Sequence, residues 1–522
     1  MPSILTRLEQ NAAPILLLLA AAVLAPIYWT ALHAPAAGIY HDDSIYLNTA
    51  QALAEGRGYW IESIPEPIPQ TKYPILFPAL LATVWKLVPD FPNHVLYFKL
   101  VPFFAAIVWF CLSYLLIQEH CKSAVFAATA VSLTAASPQV VFFSTTILSE
   151  TLFAAMATAS IFFGLKDRRD GSRVALLLSA FFAAAAYHTR TIGFCLILGW
   201  ILVFLWQRRW REGLLFGSVA GALALPWVLW QSLNSGAADP YLSQENYYSA
   251  YNVVVSFNWQ EKLRIVVTNL MMLLISMQSF FEWSGGKILG LICVPLILRA
   301  LLAKEIPLIV RSFLLLSIGV ILLWVWPPFR FLVPLMPLLI WAVWSGAPNW
   351  LRKLVVPCCW LLFGQGVYAS GSFSNAARES GLWIPTAVGK EEWRTFMKQL
   401  DWIRENTPQK AIIQSNIDPT VYLYTQRKAI RGSHQNASLS IYLDREKALG
   451  TASQYVSTLN RNKVDFVVET QLSWFLESRF FGVLIDEVRK EQLLQFRLRN
   501  ESDLRGFRIF EIEKPQNPNQ NR

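Results

Sequence analysis

"YHDDSIYLNTAQALAEGRGYW", residues 40–60, follows directly on the first hydrophobic segment of the chain. It sets two adjacent carboxylates, Asp42 and Asp43, at the mouth of an apolar run with no cation close behind. Tyr46, Leu47, Ala50, Leu53 and Ala54 then recur at helical spacing until Gly56 and Gly58 end the run. That pattern predicts a short amphipathic helix lying along the outer membrane interface. An aspartate at such a helix start is an ordinary cap, accepting from the free backbone N–H groups of the first turn. A cap needs only one carboxylate, and here there are two. Spacing alone leaves capping and catalysis both open, and the roles are compatible.

The surrounding composition says what kind of molecule this is. Of 522 residues, 54% are hydrophobic, 14% aromatic and only 15% charged, where soluble domains carry about 25% charged residues. Hydrophobic segments fill residues 14–371, and residues 372–522 have the composition of a soluble domain. The formal charge of +10 raises a nucleic-acid partner. The basic residues, however, sit in short loops between apolar segments, which is how topology determinants are placed, and nucleic acid is set aside. Residues 14–32 form a longer apolar run than the roughly 7–15 residues of a signal-peptide core, so they read as a retained anchor. The six cysteines lie in or beside apolar segments and are expected to be inert thiols, with no disulfide or metal-thiolate site.

A spanning helix needs about 20 apolar residues. Stretches that meet this are 13–32, 97–117, 123–141, 147–165, 174–190, 191–207, 213–231, 286–303, 308–326, 330–347 and 354–371. Two more are doubtful: residues 73–89 are short, with three prolines and Lys86, and residues 265–283 include Thr268, Asn269, Ser276, Gln278 and Ser279. The basic loops (Lys122; Lys166, Arg168, Arg169 and Arg173; Arg208, Arg209 and Arg211; Arg299, Lys304 and Arg311; Arg352 and Lys353) all face the cytoplasm only if neither doubtful stretch crosses. Eleven spans then remain, thirteen if both cross, and non-crossing segments are tolerated where they line a cavity. In this topology the N-terminus is inside. The loop 33–96, the turn at 144–150, the turn at 187–193, the segment 232–284 and "WPPFRFLVP" (326–334) share the outer face with the C-terminal domain.

Candidate residues follow from that face. Lys72, in "PQTKYPILFP" (69–78), is either a lysine snorkelling at a helix end or a compact cation for a phosphate. Glu150 opens a span, where a carboxylate is favourable against the helix dipole in any case. Arg190 lies in the break between adjoining spans, and a cation there costs about 2.5–3.5 kcal/mol if drawn toward the bilayer centre. Arg330, flanked by Pro327, Pro328 and Pro334, repeats that arrangement. Together these residues put acids and three cations at one face. A proton path needs ionisable groups at membrane depth instead, so the set suits an anionic headgroup held beside a carboxylate base.

At these residues the chain resembles the GT-C glycosyltransferases, in the branch of the protein O-mannosyltransferases and the lipid A aminoarabinose transferase. The acidic pair followed by a tyrosine and an alanine-rich helix reads Asp42-Asp43-Ser44-Ile45-Tyr46; the lysine-proline element reads Lys72-Tyr73-Pro74. Ser149-Glu150 and Arg330-Phe331-Leu332-Val333-Pro334 match two later elements. The pair is Asp-Asp where Asp-Glu is common, and Tyr73-Pro74 stands for a double proline. The resemblance covers residues 1–350 and implies a membrane domain over 1–371. It also implies inverting transfer of a sugar from a polyprenyl-phosphate donor to a hydroxyl acceptor (lipid, glycan or protein). The site and C-terminal domain would lie outside a bacterial inner membrane, among membrane lipids. Asp42 would be the base and Asp43 a partner to a sugar hydroxyl. Tyr46, Tyr59, Lys72, Tyr73, Glu150, Arg190 and Arg330 would bind substrate. No cofactor is compelled, and a divalent metal held by Asp42, Asp43 and Glu150 is left open, since no ligand spacing requires one.

Residues 390–514 alternate helix and strand patterns, predicting a small α/β sheet within a soluble domain over 372–514, with a disordered tail at 515–522. His434 stands alone there, and Asn436-Ala437-Ser438 fits a glycosylation sequon that arises often by chance. Two rival functions stand beside sugar transfer. A transporter or flippase of lipid-linked sugars would share the basic pockets but has no need of an interfacial base. A scaffold for the outer domain would tolerate change at Asp42, Lys72 and Arg330 alike.

Overall fold

The computed structural model describes residues 4–234, 257–302, 305–383, 387–431, 442, 451–473 and 476–513. Lys304, His434, Asn436 and the tail 515–522 lie outside the described residues. The chain divides into two compact units. One holds residues up to 35 together with 73–234 and 257–378; the other holds 36–72 and the chain from 379 onward. The division differs from the sequence expectation, which left the whole of 33–96 in the membrane domain.

The first unit is helical, and its helices follow the apolar stretches. Among the described residues, six helices are long and apolar enough to cross a membrane, or seven when the bent pair Ala124–Ala136 and Pro138–Thr145 counts as one span. The chain is an integral membrane protein. Length accounts for fewer crossings than the expected eleven to thirteen. Arg173–Thr189 and Leu308–Leu323 have 17 and 16 residues, about 25 Å of helix against a hydrocarbon core of about 30 Å.

Residues 265–283, expected not to cross, lie in a continuous helix, Trp259–Phe281, that has the length and hydropathy of a span. A polar side chain in the middle of that apolar window, Asn269, has protein partners. The buried Asn269 amide donates to the carbonyls of Ile321, Leu322 and Trp324 (3.2, 3.1 and 2.6 Å). Those carbonyls end the helix Leu308–Leu323, where a helix leaves its last acceptors unpaired. Small residues do the closest packing. Ala154, Ala155, Ala157, Ala159 and Gly164 of the helix Glu150–Asp170 are buried, which lets neighbouring backbones approach. Gly164 has no space for a Cβ, because the Trp200 ring would lie 2.2 Å from it.

The second unit is an α/β domain. Its five-stranded sheet runs β4-β3-β5-β7-β6, with β3 Ile412–Ser415, β4 Lys428–Ile430, β5 Phe466–Thr470, β6 Phe496–Glu501 and β7 Phe507–Ile512. β3 pairs parallel with β4 and β5, while β7 pairs antiparallel with β5 and β6. Four of these strands and the helices Asp418–Thr425 and Ala452–Arg461 fall where the alternation places them. β6 carries Arg497 and Arg499 on an exposed edge, the charged pattern that protects sheet edges and hides a strand from a hydropathy reading.

Residues 36–72 belong to this domain by packing. Ala36 and Ile39 join the core formed by Phe396, Ile413, Ile417, Val421 and Ile509. The Ala429 N–H donates to Ser63 O at 2.7 Å, and Lys428 Nζ donates to Glu62 O. Arg57 pairs with both Glu55 and Glu62. The helix Asp42–Ala54 is buried on nearly all sides, from Asp43 to Ala50 without a break. Its small and polar residues, Ser44, Asn48, Thr49 and Ala52, are what permit burial all round.

Candidate active site

The candidates fall into two groups, one in each unit. In the second unit the acidic pair opens the helix Asp42–Ala54. Neither aspartate occupies the cap position, which is held by His41 at φ 67° with no side-chain cap bond of its own. Asp43, 1% exposed, reaches backward instead. Its Oδ2 accepts from Ile39 N at 3.0 Å, and its Oδ1 from Tyr40 N at 2.7 Å and Ser44 N at 3.0 Å. Burial pushes the Asp43 carboxyl up to about 6, opposed by those N–H donors and assisted by the Asp42 charge. Asp42 is the more accessible acid: its side chain is 17% exposed and stands 3.9 Å from His41 Nδ1.

Tyr46 and Tyr59 are both buried. Burial, and then the neighbouring Tyr46, raise the Tyr59 phenol well above its ordinary value. Tyr59 precedes β1 (Trp60–Ile61), which pairs antiparallel with β2 (Ile68–Pro69), and the Gln70 N–H closes the ribbon on Tyr59 O at 3.0 Å. Two residues on, the Lys72 N–H donates to Gln70 Oε1 at 2.8 Å. Lys72 and Tyr73 fall on opposite sides of the unit boundary.

In the first unit Glu150, Arg190 and Arg330 come together. Glu150 is 1% exposed at the start of its helix. Its Oε1 accepts from Arg190 Nη1 at 2.8 Å and from Arg330 Nε. Arg190 also donates to Ser149 Oγ at 3.1 Å. Each guanidinium lies over an aromatic ring, Arg190 at 5.6 Å from Phe331 and Arg330 at 5.8 Å from Phe143, which adds cation–π attraction to the orientation. The turn holding Arg190 depends on Gly193, whose added Cβ would lie 2.5 Å from Tyr187 N. One carboxylate oxygen is thus shared by two guanidinium groups. The arginine side chains are 10% and 25% exposed.

Comparison with known proteins places this arrangement in a fold. No protein-family model and no curated protein matches the sequence. Solved structures do match along almost all of it. ArnT from Cupriavidus metallidurans bound to undecaprenyl phosphate is 12% identical, with 95% of this chain and 97% of that chain covered at a TM-score of 0.56. The oligosaccharyltransferase AglB from Archaeoglobus fulgidus, in complex with an inhibitory peptide and a dolichol-phosphate, is 12% identical. It covers 95% of this chain and 74% of that chain at a TM-score of 0.55. The chain has the GT-C fold.

Within this GT-C fold several residues near the candidates escaped the sequence. His41 and Tyr40 flank the acids without belonging to a chemical pattern. Tyr424 feels the Asp43 charge from another part of the chain. Lys99, 1% exposed in the helix Val95–Cys121, donates to Ala34 O at 2.5 Å; a lone lysine inside an apolar run was the signal available for it. For the divalent ion left open by the sequence, the carboxylates it would use already have other partners. Asp43 is committed to backbone N–H groups and Glu150 to arginines. Among the described residues no three His, Cys, Asp or Glu side chains gather in a group that could hold a metal.

Proposed function

We propose that this chain transfers a sugar from a polyprenyl-phosphate donor to a hydroxyl acceptor, with inversion at the anomeric carbon. The observation that carries this reading is the pair of guanidinium groups converging on Glu150 in a GT-C fold. A phosphate leaving group needs positive charge to meet the electrons it takes away, and planar guanidinium groups suit phosphate oxygens. Two guanidinium groups sharing one buried carboxylate supply that without standing bare side by side.

The step balances simply. The acceptor oxygen attacks the anomeric carbon, its proton passes to Asp42, and the bond from that carbon to the phosphate oxygen breaks. Polyprenyl phosphate departs with the bonding electrons, met by Arg190, Arg330 and Lys72. A positioned base contributes roughly 10²–10⁴ in rate, and a phosphate leaves without help from an acid. Asp42 fits the base better than Asp43, because it is the more accessible and because Asp43 already accepts three N–H bonds. Glu150 Oε2 is buried without a hydrogen-bond partner among the described residues, which suits a sugar hydroxyl as its donor. Tyr46, Tyr59 and Tyr73 would shape the sugar's surroundings.

The test joins cells and purified protein. Mass spectrometry of envelope lipids and glycans from cells lacking the chain is expected to reveal a missing sugar. Asp42→Asn should reproduce that loss while the purified protein still binds undecaprenyl phosphate. Undiminished transfer by Asp42→Asn would overturn the assignment and favour a flippase.

A further inference from the structure

We infer that Thr420 and Tyr424 are positioning residues for the acidic pair, so that the C-terminal domain acts as the clamp that shapes the catalytic turn. This rests on the reading of Asp42 as the base. Residues 37–40 carry no regular hydrogen-bonded ladder, yet their peptide groups are held. The N–H of Ile39 donates to Asp43 Oδ2 at 3.0 Å, and the carbonyl on the other side of the same peptide plane, Gly38 O, accepts from Thr420 Oγ1. One residue earlier, Ala37 O accepts from Tyr424 OH at 2.8 Å, which holds the peptide plane that precedes Gly38.

A peptide group is planar and rigid, so a bond to its carbonyl fixes the direction of its N–H. Thr420 thereby aims a donor that holds Asp43, Tyr424 steadies the peptide before it, and Asp43 is the residue after Asp42. Other contacts keep the donor helix Asp418–Thr425 in place. Asn48 Nδ2 donates to Pro419 O at 3.1 Å. Gly38, at φ +71°, has no space for a Cβ, which would meet Leu423 at 2.6 Å. Residues 37–43 and 418–425 are nearly 400 positions apart in the chain, as the 382-residue separation of the Thr420–Gly38 bond shows.

The experiment uses the full chain with Thr420→Val, Thr420→Ser, Tyr424→Phe and Asp42→Asn, in cells and purified. Transfer is read as the envelope product absent from cells lacking the chain, and binding as the affinity for undecaprenyl phosphate. Thr420→Val and Tyr424→Phe should each slow transfer roughly tenfold or more, since displacements of about 1 Å can cost as much as 10²-fold. Affinity for undecaprenyl phosphate should stay unchanged, and Thr420→Ser should restore transfer. Full-rate transfer by Thr420→Val and Tyr424→Phe overturns the inference, as does a parallel loss of binding or a failure of serine to rescue. If those two variants are active while Asp42→Asn is dead, only the clamp falls. If Asp42→Asn is itself active, the functional reading falls with it.

Discussion

Asp43 holds its proton more tightly in the folded protein than in the unfolded chain, because burial penalises the charged form more than the N–H donors relieve it. A raised folded pKa favours the fold most when the group is protonated in both states. The contribution is therefore complete below about pH 4 and is lost as pH climbs through about 6. Its size, from 3.8 to about 6, is on the order of 3 kcal/mol. Thermal unfolding of the purified protein should thus include a component that weakens from pH 4 to 6.5. Asp43→Asn should abolish that component while lowering stability by about 1–3 kcal/mol, since its amide points a donor at the Ile39 N–H. A pH profile identical in the two proteins would refute this account. Sequence had singled out both aspartates but misjudged the local geometry: a carboxylate that reaches back to residues 39 and 40 looks, from spacing alone, the same as a helix cap.

At the scale of elements, the Glu150 cluster is built by three helix ends: the start of Glu150–Asp170, the end of Arg173–Thr189 and the short turn Phe329–Leu332. Removing the shared acceptor leaves two guanidinium groups buried together, and deletions of one partner in a buried ion pair cost about 3–5 kcal/mol. Glu150→Ala should show that loss in denaturant titrations of detergent-solubilised protein. Arg330→Ala, which leaves Arg190 to pair with Glu150, should fold but bind undecaprenyl phosphate weakly. Each member of the cluster was visible as an odd charge at a helix end. Their meeting was not, because Arg330 and Glu150 are 180 residues apart and no local spacing encodes such a contact. The same limit governs Trp259–Phe281. Asn269 argues against a span only until its three carbonyl partners, 52 to 55 residues away, are known. Asn269→Leu should cost about 1–3 kcal/mol by stranding those carbonyls, measurable in the same titrations.

For the whole molecule, the membrane character, the helical unit and most of the α/β sheet were legible because they depend on hydropathy and local period. The partition of the chain was not. Residues 36–72 leave the first apolar helix and join a domain whose other described residues begin at 379, and only tertiary contacts such as Ala36 and Ile39 in the sheet's core reveal it. A chain ending at 378 should therefore present residues 36–72 to proteases that spare them in the full protein, as limited proteolysis with mass spectrometry would show. That division carries a consequence for biosynthesis. The strand β7 leaves the ribosome after the other strands of its sheet, and it lies between β5 and β6. The turn bearing Asp42 emerges well before it, and must wait for the helix Asp418–Thr425 before Thr420 and Tyr424 exist to hold it. A nascent chain would thus thread its helices into the bilayer with the acids still unaimed, and become competent only once the helix Asp418–Thr425 and its sheet have been made.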